Sequence, residues 1–143
     1  MRLHCLYVFN KHDECMHYIE WVRPRQPESS SDDRQVVLGL AVSADSVVSK
    51  LSQALGQKER MRTLRTDAYS MHLLSIPTGL RFVLFAEKGA PELSQHLWHI
   101  YSALYVPMVV MCSQPFSDSS LLAFEHALDS YARSVIASEP AVT

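Results

Sequence analysis

The sequence predicts one α+β domain, in which five antiparallel strands and three helices follow the order ββαβββαα. Three observations predict this class. Two short apolar runs joined by a polar turn open the chain, a long segment with helical periodicity follows, and two more apolar runs precede two further helical segments. About 150 residues per domain is typical, so a chain of 143 residues can bury one core. We expect a single domain over residues 1–137 and a frayed tail at 138–143.

The first two strands are expected to form a hairpin. Residues 3–9 are rich in aromatic and β-branched types, the polar segment 10–13 suits a tight turn, and a second apolar run extends from Cys15 to Trp21. Because both runs are apolar at alternate and intervening positions alike, we expect central strands that are covered on both faces.

A polar loop and a long helix come next. Residues 23–34 contain two prolines and the run Ser29-Ser30-Ser31 with nothing apolar to bury, which predicts a mobile loop. These serines are either phosphorylation sites or simply solubilising residues. Asp32 or Asp33 is expected to cap a helix from about Gln35 to Leu55.

The long helix is expected to have a buried face and a neutral one. The buried stripe at helical spacing is Val37, Leu40, Ala41, Ala44, Val48, Leu51 and Leu55. The opposite face carries Gly39, Val42, Ser43, Ser46, Ser49 and Lys50. Such small side chains either let another helix or backbone approach closely or merely tolerate exposure, and the residues alone leave both interpretations open.

Three strands are expected after this helix. Residues 61–66 alternate as a polar edge strand, and Tyr69–Ile76 and Leu80–Ala86 are stronger strands separated by the turn Pro77-Thr78-Gly79. The basic residues near the edge strand are more typical of a solvated strand edge than of an anion site. They are Lys58, Arg60, Arg62 and Arg65.

A helix is expected to begin at Pro91, and no charged residue occurs from Leu93 to Ser117. This stretch includes polar side chains and a proline, so we do not interpret it as a membrane span. Beyond Ala103 every face is apolar, which predicts a partner at the end of the helix. The residues expected to meet that partner are Tyr105, Val106, Val109 and Val110. The last helix should bury Leu121, Phe124, Leu128, Tyr131 and Val135.

Composition and motifs give no support for catalysis or nucleic-acid binding. The chain has 13 basic and 15 acidic residues, a net charge of −2, and 20% charged residues against about 25% in typical domains. Its four glycines form no phosphate-binding loop, and its start does not resemble a signal peptide. The three cysteines lack a CxxC pair, and neither they nor the histidines have the spacing of a nucleophilic or zinc site. We therefore expect no enzyme activity, no metal and no cofactor.

Five segments of the chain resemble, in order, the motifs of a known family. They are CMHYIEW at 15–21, SVVSKLS at 46–52, PTG at 77–79 before a strand, IYSALYV at 100–106 and LDSY at 128–131. Together they resemble the small longin-type core subunits of the trafficking protein particle (TRAPP) tethering complex. The chain departs from the family pattern at residues 24–33, at Pro107, which should kink its helix, and at Asp45, where a basic residue is expected.

The resemblance implies a longin (profilin-like) fold with one helix on one face of the sheet and two on the other. It also implies a non-catalytic subunit that pairs with another longin-type subunit and with Bet3-like subunits. The pair would form a platform for nucleotide exchange on a Rab GTPase and for vesicle tethering in transport from the endoplasmic reticulum to the Golgi. The subunit would be cytoplasmic, peripheral at both membranes and attached to them only through the complex.

This resemblance gives the two neutral surfaces a role. Gly39, Val42, Ser43, Ser46 and Lys50 become the expected face for the GTPase or a partner, and the apolar end of the later helix becomes a subunit contact. Two alternatives stay open, namely another longin scaffold such as a small adaptor-complex subunit and a sensor domain that holds a small ligand between sheet and helices.

Overall fold

A computed structural model describes residues 3–12, 14–21, 30–56 and 63–136 of the chain. The predicted tail, residues 23–29 of the predicted loop, and Lys58, Arg60 and Arg62 of the basic cluster lie outside these ranges. The strands are β1 (Leu3–Phe9), β2 (Cys15–Glu20), β3 (Thr63–Arg65), β4 (Ser70–Ser75) and β5 (Arg81–Ala86). The helices are α1 (Ser30–Ala54), α2 (Ser94–His99) and α3 (Asp118–Tyr131). α2 continues as a π-helix over Ile100–Val110, and α3 continues as one over Ala132–Ile136.

The five strands form one antiparallel sheet in the order β2-β1-β5-β4-β3. β1 lies between β2 and β5, and Tyr7 pairs with Tyr18 on one side and with Val83 on the other. The three-residue β3 is an edge strand, as its polar alternation predicts. The expectation that β2 is central is wrong, because it pairs with β1 alone and forms the other edge. Its intervening apolar side chains are only partly buried.

The alternation of side chains along the strands divides the core into two layers. Leu6, Val8, Phe82 and Leu84 pack with buried residues of α2, its π-helical continuation and α3. On the other face Tyr7, Phe9, Met71, Leu73 and Val83 pack against Leu38 and Ala41 of α1. The structure therefore has one helix on one face of the sheet and two on the other, which confirms the predicted fold class.

α1 differs from the prediction in its start and in its buried face. It begins at Ser30, so residues 30–34 are helical and neither Asp32 nor Asp33 lies at the first position. Leu51 and Leu55 are 61% and 78% exposed, whereas Leu38 is buried. Leu38, Ala41 and Ser52 are buried. Four residues of the predicted stripe are partly buried against the core layer on this side of the sheet, namely Val37, Leu40, Ala44 and Val48.

The helix that begins at Ser94 changes type at Ile100. Pro107 lies inside the wider π-helical segment. A proline disfavours regular α-helix, because it has no N–H to donate and its ring clashes with the carbonyl four residues earlier. The last hydrogen bond of that segment runs from Met111 N–H to Val106 O at 2.9 Å. α3 begins at a conventional cap, because the Ser117 hydroxyl accepts the N–H of Ser120 at 3.2 Å.

Candidate partner-binding surfaces

The five residues of the predicted α1 face are all accessible, and we call them the α1 face. They are Gly39, Val42, Ser43, Ser46 and Lys50. Nothing lies within 4 Å of a Cβ built at Gly39, so the backbone of the helix is open at this point. Lys50 is the single charged member of the set. Another backbone could therefore approach this face closely without desolvating more than one charge.

Large apolar side chains lie next to the α1 face on the same helix. Val36, Val47 and Leu51 are each more than half exposed, and so is Leu55, which directly follows the last residue of the helix. Ser43 lies seven residues after Val36 and four before Val47, and Lys50 lies three after Val47, so the two sets adjoin on the helix surface. Contiguous exposed apolar surface of this kind is typical of a protein interface.

The π-helical end has two buried and two accessible members among its predicted contact residues. Tyr105 and Val109 are 4% and 0% exposed and belong to the chain's own core. Val106 is half-buried and Val110 is 38% exposed. A partner at this end would therefore meet Val106 and Val110, while Tyr105 and Val109 support them from inside.

An apolar groove of about 600 Å³ lies beside this helical end, and we call it the π-helix groove. Its floor is formed by Met16, Leu80, Tyr101 and Tyr105. Its wall is formed by Val106 and Val110 of the π-helix and by Met111 and Phe116, which follow the end of that helix. Burial, followed by the neighbouring Tyr101, raises the pKa of the Tyr105 hydroxyl, so this group stays protonated in the groove.

The opposite rim of the π-helix groove is built from two turns. Asn10, Lys11 and His12 come from the β1–β2 turn, and Thr78 comes from the β4–β5 turn. The Asn10 side-chain oxygen accepts the N–H groups of His12 and Glu14 at 2.9 and 3.0 Å, which fixes the first turn. The sequence reasoning missed this groove, because its parts come from four separate segments that only the tertiary fold brings together.

His17 and His96 form hydrogen bonds with carboxylate and hydroxyl groups of other residues. His17 donates from Nδ1 to the Glu125 carboxylate at 3.0 Å, and His96 shares a 2.9 Å hydrogen bond with the Tyr131 hydroxyl. The β1–β2 register pairs Val8 with His17, so His4 lies away from it along the hairpin. Among the described residues, no three His, Cys, Asp or Glu side chains are placed to hold a metal ion.

His72 is a buried histidine with a full set of partners. Its Nε2 lies 3.0 Å from the Ser70 hydroxyl, which donates to the Glu87 carbonyl, and its Nδ1 lies 3.4 Å from the Thr63 hydroxyl. A neutral ring with its proton on Nε2 satisfies both contacts. Burial, followed by the Arg65 charge, lowers the pKa of His72 to about 4. Its role is therefore structural at neutral pH.

The three cysteines are free. Cys112 is half-buried and lies just beyond the π-helix, which ends at Val110. Cys5 is buried in β1 and Cys15 is half-buried at the start of β2. No helix in the described part of the chain has the length and apolarity that a membrane span requires.

Comparisons with known proteins cover nearly the whole chain. Residues 3–135 match the sequence profile of the Sybindin-like family. Trafficking protein particle complex subunit 1 of Homo sapiens is 36% identical over 139 residues, which are 94% of this chain and 94% of that protein. Trafficking protein particle complex subunit BET5 of Saccharomyces cerevisiae is 28% identical over 116 residues, which are 76% of this chain and 72% of that protein.

A solved structure is similar in fold alone. The gliding protein MglB from Thermus thermophilus superposes with a TM-score of 0.50 and 15% sequence identity. The match covers 71% of this chain and 75% of the MglB chain. MglB has a longin-type fold, so this similarity agrees with the five-stranded sheet and its two helical layers.

Proposed function

Because the chain belongs to the Sybindin-like family, we propose that it is a non-catalytic core subunit of a TRAPP complex that pairs with another longin-type subunit. The relatives named as TRAPP subunits support this proposal, since they align with the chain over most of its length. The structural observation that carries it is the exposed α1 face, with one charged residue, together with the exposed apolar side chains that adjoin it. A surface of this kind fits a stable partner better than it fits solvent.

The α1 face would contribute to a platform that binds a Rab GTPase while its nucleotide is exchanged. Ser43 and Ser46 are accessible, and Gly39 leaves the helix backbone open to a neighbouring chain. Two longin-type subunits side by side would offer the GTPase a wider surface than one. Exchange would then be an activity of the assembled complex, with this chain supplying binding surface and no reacting group.

The environment of the titratable side chains supports a scaffold role. His72 is buried with its pKa lowered, and His17 donates to Glu125. These groups hold the chain's own elements together, and a general acid or base has to reach a substrate instead. In the cell we expect a cytoplasmic subunit that is peripheral at Golgi and endoplasmic reticulum membranes and reaches them through the complex, in transport between these compartments.

Charge on the α1 face tests the platform. We would introduce Ser43→Glu and Ser46→Glu, with Ser130→Glu on the exposed side of α3 as the matched control, and co-express each with the other TRAPP subunits. The α1 variants should unfold within a few degrees of the unmodified chain. The assembled complex should release GDP from the Rab at least about tenfold more slowly, since a buried charge in an interface costs more than about 1.4 kcal/mol.

Two results would contradict different parts of the proposal. Unchanged GDP release with both α1 variants would remove the α1 face from the platform. If the unmodified chain, at its natural level, co-purified without any longin-type or Bet3-like subunit, the TRAPP assignment itself would fail. Recovery of coat adaptins instead would indicate a small adaptor-complex subunit.

A further inference from the structure

We propose that the π-helix groove binds an apolar segment of a neighbouring polypeptide that carries an acidic side chain, and that this acid meets Lys11 and His12. The inference deepens the proposed function, because it rests on the chain being one subunit of a complex. It adds a second docking surface on the opposite side of the sheet from α1, together with the chemistry of its occupant.

The size and lining of the groove fit a short peptide segment. About 600 Å³ is enough for several side chains, and the floor side chains of Met16 and Leu80 are apolar. Met111 and Phe116 stand on the wall at 76% and 53% exposure. Two large apolar side chains held at the edge of an apolar groove leave contact area that the chain itself does not cover.

The backbone at Phe116 adds an independent observation. Phe116 has φ +57, a left-handed conformation that bulky side chains seldom adopt. Its N–H donates to Val109 O at 3.1 Å, and the N–H of Ser117 donates to Gln114 O at 3.3 Å, which hold the turn. An unfavourable conformation that keeps an aromatic ring exposed at a groove is typical of a binding site.

The charge on the rim indicates the acidic group. Lys11 and His12 are exposed in the β1–β2 turn, and the described residues give their side chains no hydrogen-bond or ion-pair partner. No carboxylate lines the groove within the described part of the chain, and Asp13 lies outside it. The Glu14 carboxylate accepts a hydrogen bond from the Asn10 side-chain amide at 3.4 Å. Lys11 gives this rim a positive charge, and the His12 ring gives it a hydrogen-bond donor. A rim of this kind beside an apolar floor is complementary to an apolar segment with an acid next to it.

A small molecule fits the same groove less well. Small-ligand pockets enclose most of the ligand surface and orient it with several convergent polar groups. This groove is open to solvent along one side, and polar groups contribute little of its lining. The alternative left open by the sequence, a sensor domain that binds a small ligand, would therefore count against this proposal.

Photo-cross-linking in the purified, co-expressed TRAPP complex tests the occupant directly. p-Benzoylphenylalanine would replace Met111 in one preparation and Leu122 in another, because Leu122 is 56% exposed on α3 and lines no part of the groove. Irradiation of the first should join position 111 to one apolar peptide of another subunit, with an Asp or Glu within about four residues. The Leu122 preparation should not give that peptide.

Charge reversal provides the quantitative arm. Lys11→Glu should weaken capture of the chain by the other subunits about three- to tenfold, and added salt should lessen the difference. Lys88→Glu, a reversal at an exposed lysine that lines no part of the groove, should leave capture unchanged. Thermal unfolding of each isolated variant would show that both are folded.

The results that would contradict the groove proposal differ from those that would contradict the proposed function. An unmodified chain that assembles, together with no cross-link from position 111 or with unaltered capture of Lys11→Glu, would overturn the groove and leave the TRAPP assignment standing. A cross-link to a lipid-sized mass, to a second copy of this chain or to a peptide without an acid would also overturn it. An unmodified chain that does not assemble would contradict the proposed function first.

Discussion

A Cβ atom at Gly79 would lie 2.6 Å from the Cβ of Lys11 and 2.9 Å from its Cα. The β4–β5 turn and the β1–β2 turn are therefore in direct backbone contact, and only glycine leaves room for it. Gly79 also has φ +100, a region that favours glycine. This one contact sets the position of the rim of the π-helix groove.

We expect Gly79→Ala to lower the free energy of unfolding by about 2 kcal/mol or more, because it adds both backbone strain and a clash with Lys11. Gly56→Ala is the matched control, since Gly56 has φ +75 and nothing within 4 Å of its Cβ position. It should lose about 1 kcal/mol from strain alone. Urea unfolding measures both, and equal losses would show that the contact between the turns is unimportant.

Leu38 and Leu51 distinguish the observed buried face of α1 from the one predicted. Leu38→Ala should lower the free energy of unfolding by about 2–4 kcal/mol, since Leu38 packs in the core. Leu51→Ala should change it by less than about 0.5 kcal/mol, because Leu51 is 61% exposed. Chemical denaturation of the isolated chain checks the pair. A larger loss of unfolding free energy for Leu51→Ala than for Leu38→Ala would support the predicted buried face instead.

His72 should make the stability depend on pH. Its pKa is lowered from 6.5 to about 4 by burial first and by Arg65 second, so the unfolded chain binds the proton more readily. Stability from this group is complete above pH 6.5 and falls as the pH drops towards 4, by about 3 kcal/mol at most. Urea unfolding at several pH values should give His72→Gln a shallower slope in this window. Parallel slopes would contradict the lowered pKa.

Trp21 and Asp129 should be energetically coupled. The indole N–H of Trp21 donates to the Asp129 carboxylate at 2.8 Å and joins the end of β2 to α3. Asp129 is 41% exposed, so we reduce the usual value for a charged hydrogen bond to about 1 kcal/mol. A double-mutant cycle with Trp21→Phe and Asp129→Ala measures this coupling. Additive losses would show that the hydrogen bond does not contribute.

Two hydrogen bonds also lower the pKa of Asp129, and the one from Arg133 has a larger effect than the one from Trp21. The lowered pKa means that the contribution of Asp129 is present at neutral pH and is lost as the pH falls through its folded value. Arg133→Gln is the control for the surface pair, since Arg133 is 69% exposed. It should cost less than about 0.5 kcal/mol.

The periodicity of the sequence predicted the number, order and type of the elements, because strands and helices of this domain have strong apolar patterns. Leu3–Phe9 was predicted to the residue, and the polar edge strand was found at Thr63–Arg65. The resemblance of the motifs to TRAPP subunits was confirmed by 36% identity over nearly the whole chain. Where burial alternates along a strand or recurs at helical spacing, the elements predicted from the sequence agree with those of the structure.

Features that depend on tertiary contact could not be predicted in the same way. Leu51 has the right spacing for the predicted stripe, but the buried side of α1 passes through Leu38, Ala41 and Ser52. Periodicity alone does not say which of two neighbouring stripes faces the sheet. β2 is an edge strand because β5 pairs with β1, so no strand pairs with the other side of β2. The pattern within β2 does not report this long-range pairing. The contact of Gly79 with Lys11 joins two turns that are far apart along the chain.

The exposed apolar side chains of α1 and of the turn after it have a consequence for the amount of protein that a cell keeps. Val36, Val47, Leu51 and Leu55 would remain uncovered in any copy made in excess of its partners. Such an orphan copy would be prone to aggregation and to capture by chaperones and proteases. We therefore expect its abundance to follow that of its scarcest partner, so that stoichiometry is enforced by degradation rather than by matched synthesis.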